Sequence, residues 1–332
     1  METEENLMKH IITTAAAIML AATGFNAGAE DLEEITVAYF LEWPTANQVA
    51  QQEKTYDKEL GVKVNWRAFG NGNEMSQAMA SGDVQIAYSQ GLVPYVVAVS
   101  NGLPLKLVGV AVSYAEADNC IVRNGTGISK TNAKALEGRK IGTPIGNVTH
   151  YKLLRMLDHL GVDANKVNMV QMNGADAAVA FARGDIDMGC AFGGPMLRMK
   201  ENGTELMTAA EQEAIGIRVF DVISVTEDFA KDHGDLLKKF MAVTDRANAA
   251  YAKDKAGALP TIAQAAGMDK DGAKKLLDMF SFPSNADQAS AAWLGGAVQT
   301  FTKNVADFFV QQKQLDQSLA SYDHVITDRY VK

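Results

Sequence analysis

Residues 80–87 read Ala-Ser-Gly-Asp-Val-Gln-Ile-Ala, and residues 182–189 read Ala-Arg-Gly-Asp-Ile-Asp-Met-Gly. An apolar-periodic stretch leads into each phrase: Met75, Ala78 and Met79 before the first, Ala178, Val179 and Phe181 before the second. A short strand and a small-residue loop ending in proline follow each one, Tyr88-Ser-Gln-Gly-Leu-Val-Pro94 and Cys190-Ala-Phe-Gly-Gly-Pro195. Helix, tight Gly-Asp turn, buried strand and open loop make one α/β unit, stated once in each half of the chain. Ligands of open α/β sheets sit outside the carboxyl ends of the strands. Two such halves with matching strand ends therefore predict a cleft between two lobes, closing on something small.

Outward from the repeats, the pattern alternates between strand and helix, as parallel βαβ units require. Glu34–Phe40 and Val62–Phe69 read as strands, with a helix between them marked by Val49, Tyr56 and Leu60 and stopped at Gly61. Leu105–Val112 is a further strand. The polar stretch Ser113–Asn119 separates it from the strand Cys120–Arg123, and the first crossing between lobes is placed there. Arg139–Pro144, a loop 145–148, a helix 149–160 with the stripe Leu153, Leu154, Leu157 and Leu160, and the strand Val167–Met172 build the second lobe. Val219–Val225 returns the chain to the first. After Thr226 four helices are expected (236–253, 259–266, 270–279 and 287–312), packing as an outer shell on the first lobe. The division is 30–117 plus 222–332 for lobe one and 118–221 for lobe two.

The 332 residues are 47% hydrophobic and 21% charged, ordinary for a globular chain with a sizeable core. Net charge is −9, and no Lys/Arg tract or aromatic-basic stripe occurs, which argues against nucleic acid and anionic lipid as partners. From Met8 the chain shows a short basic start, an apolar run and Ala27-Gly28-Ala29, a secretory signal with an A-x-A site. Residues 1–29 are read as that signal peptide, with Met8 as its start and the acidic first seven residues as gene-calling. Cleavage leaves a charge of −7 on a soluble, exported, periplasmic product. The apolar run is too short to span a bilayer. Cys120 and Cys190 show no metal-type spacing and are read as buried free thiols.

Several residues offer binding chemistry. Asn147-Val-Thr-His150 lies where a Gly-containing loop meets a helix start, whose free N–H groups and dipole attract anions. Thr149 adds a hydroxyl and His150 a ring donor; the plainer reading makes Asn147 or Thr149 an N-cap. Asp221 is an acid inside the apolar strand Val219–Ile223, so it requires donors or a cation. It is either a structural salt bridge or a carboxylate receiving an ammonium group, and Glu42 beside Trp43 is a second candidate for that role. Trp43, Tyr88 and Phe192 each follow a strand, as core or as the walls of an alkyl or cationic ligand. Asp83 and Asp185 read as turn residues. No HExxH, GxSxG elbow or nucleophilic cysteine signature occurs, and no cofactor or metal motif either, so the reading is of a binding protein rather than an enzyme.

Val64-Asn-Trp-Arg-Ala-Phe69, Ala80–Ile86, Leu136-Glu-Gly-Arg-Lys-Ile141, Thr149-His-Tyr-Lys-Leu-Leu154, Arg183–Asp187 and the terminal Thr327-Asp-Arg-Tyr-Val-Lys332 resemble the taurine-binding receptors of ABC importers. These belong to the wider sulfonate/nitrate receptor group, and the likeness runs from Ile35 to Lys332. The resemblance implies an α/β fold of the periplasmic-binding-protein type II kind: two lobes, a hinge and a ligand cleft between them. By position it implies Thr149 and His150 on the sulfonate, Asp221 on the amine, Phe192 where relatives tend to carry tryptophan, and Glu42 with Trp43 in the first-lobe binding loop. Tyr88, Ser89, Gln90, Asn147 and Gly193 complete the expected site. It further implies a monomer that hands a small zwitterion, taurine first, to an inner-membrane permease. The loops Phe192-Gly-Gly-Pro195 and Ser89-Gln-Gly91 depart from the family pattern at the ligand. A quaternary amine such as a betaine or choline is the alternative ligand, and an enzyme of the thiamine-pyrimidine synthase type the alternative class. That enzyme's cysteine-rich iron motif is missing here.

Overall fold

A computed structural model of the protein describes residues 32–332; the expected signal peptide lies outside the described residues. Glu33–Lys332 form one compact unit. Its strands are β1 Glu34–Phe40, β2 Lys63–Phe69, β3 Ile86–Gly91, β4 Leu105–Tyr114, β5 Asp118–Arg123, β6 Lys140–Thr143, β7 Asn168–Gln171, β8 Met188–Phe192, β9 Gly203–Glu205, β10 Val219–Thr226 and β11 Phe280–Ser281. They make two mixed sheets, ordered β11-β4-β10-β3-β1-β2 and β7-β6-β8-β5-β9. Within each, three strands run parallel (β2, β1, β3 and β7, β6, β8) and the others pair antiparallel. The chain leaves the first sheet after Tyr114, enters the second at Asp118, and rejoins the first at Val219.

The duplicated phrase ends a helix at a left-handed glycine twice, with closing bonds that differ by one residue. The helix Gly72–Ala80 precedes β3 and the helix Gly174–Arg183 precedes β8, with Gly82 (φ +82°) and Gly184 (φ +79°) reversing the chain. After the second helix, the Gly184 N–H donates to Phe181 O (3.0 Å) and the Asp185 N–H to Ala180 O (2.9 Å), a Schellman closure that requires the left-handed glycine. Asp83 and Asp185 are exposed in these turns, as expected. The open loops expected after the strands are not there. β3 runs directly into the helix Leu92–Ser100 and β8 into Gly193–Lys200, each with its proline in the first turn, where no N–H is needed.

β3 is buried along its whole length and β10 nearly so, because helices cover both faces of the first sheet's centre. Cys120 and Cys190, expected as free thiols, stand opposite each other in the β5–β8 register and form a disulfide. They lie seventy residues apart, and strand pairing alone brings them together. A disulfide is stable in an oxidising compartment, which is where the export expected from the sequence would place the chain.

The region after Thr226 also differs from expectation. The stretch read as one helix over 287–312 is a short helix Asn285–Gln288, a turn, and the helix Ala297–Gln311; Gly295 and Gly296 fall in the turn. These elements do not cover the first lobe alone. Phe309 stacks on Tyr151 (6.3 Å between centroids) and meets His150 edge-on (6.0 Å), while Lys270–Leu277 packs on Gly193–Lys200 of the second lobe.

Candidate functional site

Asp221 sits in the middle of the first sheet, opposite Gly91 of β3 and Val112 of β4, at a bulge in β10. Ser89 Oγ donates to its Oδ2 (2.8 Å) and Tyr114 OH to its Oδ1 (2.8 Å). Ser89 in turn accepts the indole N–H of Trp43 (2.9 Å), and its backbone lies in the left-handed region (φ +61°). That conformation is costly for a side-chain-bearing residue and persists where surrounding contacts over-determine it, as they do here. Burial pushes the Asp221 carboxyl up to about 7; the Ser89 and Tyr114 bonds pull it down, and nearby Asp118 pushes it further up.

Asp118 opens β5 opposite Phe192, the last residue of β8. Its Oδ2 accepts the Thr149 hydroxyl (3.0 Å), its Oδ1 has no partner among the described residues, and the residue is 1% exposed. Behind it the buried Lys152 donates to the carbonyls of Ala115 (2.9 Å) and Asp118. Burial raises the Asp118 carboxyl to about 6, against the pull of Lys152 and Thr149. Burial also lowers the Lys152 ammonium from its ordinary value, and Asp118 opposes that.

These two acids line one small cavity between the sheets, with Phe40, Trp43, Tyr114 and Phe192 as its aromatic walls. Gly91, Asn147, Val148 and Thr149 complete it, and among the described residues no Lys, Arg or His lines it. Trp43 stands edge-on to Tyr114 (5.0 Å) and to Phe192 (5.5 Å), and Phe192 also meets Phe40 (5.1 Å). Space for the centre of a water-sized sphere is about 20 Å³, room for one or two waters at roughly 10–15 Å³ each. At the cavity's second-lobe side the helix Val148–His159 begins. Its first intrahelical bond is Tyr151 N–H to Asn147 O (3.1 Å), so the N–H groups of Val148, Thr149 and His150 precede the ladder and are free for an anion.

The sheets meet through direct contacts around this cavity. Asn147 Oδ1 accepts the Gly72 N–H (2.9 Å), and Asn73 Nδ2 donates to Ile145 O (2.9 Å). Asn173 accepts from Asn71 (2.7 Å) and donates to Glu74 (3.0 Å). Elsewhere Arg198 holds Glu42 through two nitrogen–oxygen contacts of 2.6 and 3.0 Å, and the Gly194 N–H donates to Glu42 O (3.1 Å). A larger cavity of about 420 Å³ lies between Phe220, Trp293, Phe301 and the exposed Arg218 and Glu213. It lacks convergent buried polar groups, so the smaller, acid-lined cavity is the candidate site.

The arrangement of two sheets around a small acid-lined cavity finds its match among known proteins. A family model described as NMT1/THI5 like covers residues 45–258. The chain belongs to that family. It is similar to the taurine-binding periplasmic protein of Escherichia coli (29% identical, covering 95% of this chain and 98% of that one). A putative aliphatic sulfonates-binding protein of the same organism is 28% identical over 54% of this chain and 56% of its own length. Among solved structures, the alkanesulfonate-binding protein SsuA of Xanthomonas axonopodis pv. citri, bound to MOPS, superposes with a TM-score of 0.73 at 20% identity, covering 89% and 98% of the two chains. The fold is thus the two-lobe periplasmic-binding-protein fold. Those relatives are binding proteins, not enzymes.

Of the residues singled out from the sequence, Trp43, Asn147, Thr149, Phe192 and Asp221 line the cavity, and Ser89 supports Asp221 from behind. Others lie elsewhere. Glu42 spends both carboxylate oxygens on Arg198 and does not line the cavity. Gln90 is tied to Gly72 O (3.0 Å), Ser76 (2.7 Å) and Ser224 (2.5 Å). Tyr88 is buried beside Trp66. His150 Nδ1 accepts the Gly146 N–H (3.2 Å) and the ring packs on Phe309; burial lowers its imidazole to about 4, so it stays neutral. Gly193 does not face the cavity but touches Glu42 across the lobes: a Cβ there would stand 2.3 Å from Glu42 O. Thr149 spends its hydroxyl on Asp118 rather than leaving it free. Sequence reasoning missed Asp118 and Tyr114, both assigned to the polar crossover. The available signal was the apolar Cys-Ile-Val directly after Asp118-Asn119, which extends the strand back to the acid.

Proposed function

We propose that the chain is the solute receptor of an ABC importer, working in the periplasm, and that its ligand is taurine or a similarly small ammonium sulfonate. The observation that carries this reading is Asp221: a buried carboxylate, oriented by Ser89 and Tyr114 and walled by aromatic rings, in a cavity that no basic side chain of the described residues lines. Such a wall repels a simple anion and attracts a cation. The free N–H groups at the start of Val148–His159 supply the complementary pole for a sulfonate. The 29% identity to the taurine-binding periplasmic protein of E. coli, over nearly the whole of both chains, supports the same ligand class. Hydrogen bonds to charged groups contribute roughly 1.5–3 kcal/mol each, so a few at each pole suffice for about micromolar affinity.

Function then follows from closure. The ligand enters while the lobes stand apart, and each pole belongs to a different sheet, so a bridging zwitterion favours the closed form. Closure swings residues 118–218, which carry the second sheet, against the rest about the two crossings. The cross-lobe bonds of Asn147, Asn173 and Arg198 then hold a surface that a permease can read. The protein binds and releases its ligand and does not transform it. The aromatic walls also favour a second reading, a quaternary amine, although the small cavity suits a primary ammonium group better.

A thermal-shift panel of the exported form with taurine, isethionate, alkanesulfonates, glycine betaine and choline tests the proposal. Stabilisation by taurine and not by isethionate is expected. Stabilisation by betaine or choline alone keeps the receptor but overturns the ligand, and turnover of a bound sulfonate overturns the class.

A further inference from the structure

The acids of this cavity come from opposite lobes. Asp221 belongs to β10 in the first sheet, and Asp118 is the first residue of β5 in the second. Among the described residues Asp221 has a hydroxyl donor on each oxygen, whereas Asp118 has one on Oδ2 and none on Oδ1. A buried carboxylate oxygen without a donor is expensive to maintain, and native structures rarely keep one without a use.

We propose that Asp118 is a second ammonium-binding carboxylate, so that the ligand's amine is gripped between Asp118 of one lobe and Asp221 of the other. This rests on the receptor reading above and adds the residue that sets its selectivity. A cation between the two acids relieves their mutual repulsion and joins the lobes in one contact. At pH 8, where both acids are ionised, an uncharged hydroxyl in its place leaves them facing each other without compensation. The charged and titratable groups around Asp118 are Lys152 behind it and Asp221 and Tyr114 across the cavity; Glu116, Glu205 and Glu213 act on Lys152. With the Asp118 and Asp221 carboxyls raised by burial to about 6 and about 7, the ligand-free site carries protons at pH 5.5 and sheds them as pH rises to 8, and an ammonium group entering at pH 5.5 displaces them.

Asp118→Asn tests this, because the amide oxygen still accepts the Thr149 hydroxyl while the charge is removed. By calorimetry, taurine affinity should fall at least tenfold and isethionate affinity should stay within threefold or improve. Taurine affinity within threefold of the parent, or an equal loss for both ligands, would make Asp118 a structural acid and overturn the assignment. A second measurement needs no variant. Titrating the unmodified protein with taurine at pH 5.5 in two buffers of different ionisation enthalpy counts the protons released. More than one per taurine requires both carboxylates; one or fewer removes Asp118 from the site. If the unmodified, folded protein binds neither taurine nor another ammonium probe, the receptor reading itself fails and Asp118 falls with it. If taurine binds but the variant result fails, only the Asp118 assignment is lost.

Discussion

Replacing Asp221 with asparagine should move stability and affinity in opposite directions. The folded, ligand-free protein keeps this carboxyl protonated up to about pH 7, whereas the unfolded chain releases the proton near 3.8. Between those values the folded state binds more protons, so this acid makes stability fall as pH rises from about 4 to about 7. Asparagine carries no such penalty. The interval is roughly three pH units at about 1.4 kcal/mol each, so the variant gains at most about 4 kcal/mol at pH 8, about 2 kcal/mol at pH 5 and nothing below pH 4. The Ser89 and Tyr114 hydroxyls must turn to suit the amide, which lowers the gain. Over the same change the ligand loses a charge-assisted partner worth roughly 1.5–3 kcal/mol, a weakening of about ten- to a hundredfold. Denaturant unfolding of the ligand-free protein at pH 5 and pH 8, with taurine calorimetry at pH 8, reads both effects. An Asp221→Asn variant that is less stable at pH 8 and binds taurine unchanged would refute the reasoning, since it would make Asp221 a structural acid.

Three further outcomes follow from the cross-lobe contacts and the second sheet. Arg198→Ala removes the partner of Glu42 at a partly exposed site, so stability should change by less than about 1 kcal/mol, while stopped-flow should show faster ligand release and an unchanged association rate. Gly193→Val places a branched side chain against Glu42 O at a backbone φ of +65°; taurine affinity should collapse well beyond the loss in melting temperature, because the clash arises across the lobes. A Cys120→Ala/Cys190→Ala double variant should lose roughly 2–4 kcal/mol in urea, with a smaller effect on binding, since neither sulfur lines the cavity. Equal denaturation midpoints for this variant and the parent would show the pair to be unlinked in solution.

The legible parts of this chain were those where local chemistry is self-sufficient. Alternating and continuous apolar runs located β1, β2, β4 and β10, and the two Gly-Asp phrases located matching helix ends, because a left-handed turn after a helix needs only its own residues. Asp221 stood out for the same reason: an acid in an apolar strand demands an explanation wherever the strand lies. Partnership across the lobes was not legible. Glu42 and Arg198 lie 156 residues apart, and nothing near Glu42 says that a guanidinium will reach both its oxygens. His150 looked like an anion donor beside a helix start, yet its helical position turns the ring to Phe309 and the loop N–H of Gly146. Asp118 was hidden by its neighbours. The polar run Ser113–Asn119 reads as a linker, although its last two residues are strand residues buried by sheet pairing. Cys120 and Cys190 were misjudged because pairing depends on strand register, which spacing does not encode.

The central claim is that this cavity reads an ammonium group. It is tested most directly by calorimetric titration of the exported protein at pH 8 with taurine and, separately, with isethionate, which exchanges only the ammonium for a hydroxyl. Tight taurine binding is expected, with isethionate binding weaker by about a hundredfold or more. Isethionate binding as tightly as taurine would show that the two buried carboxylates do not contact the ligand and would contradict the account.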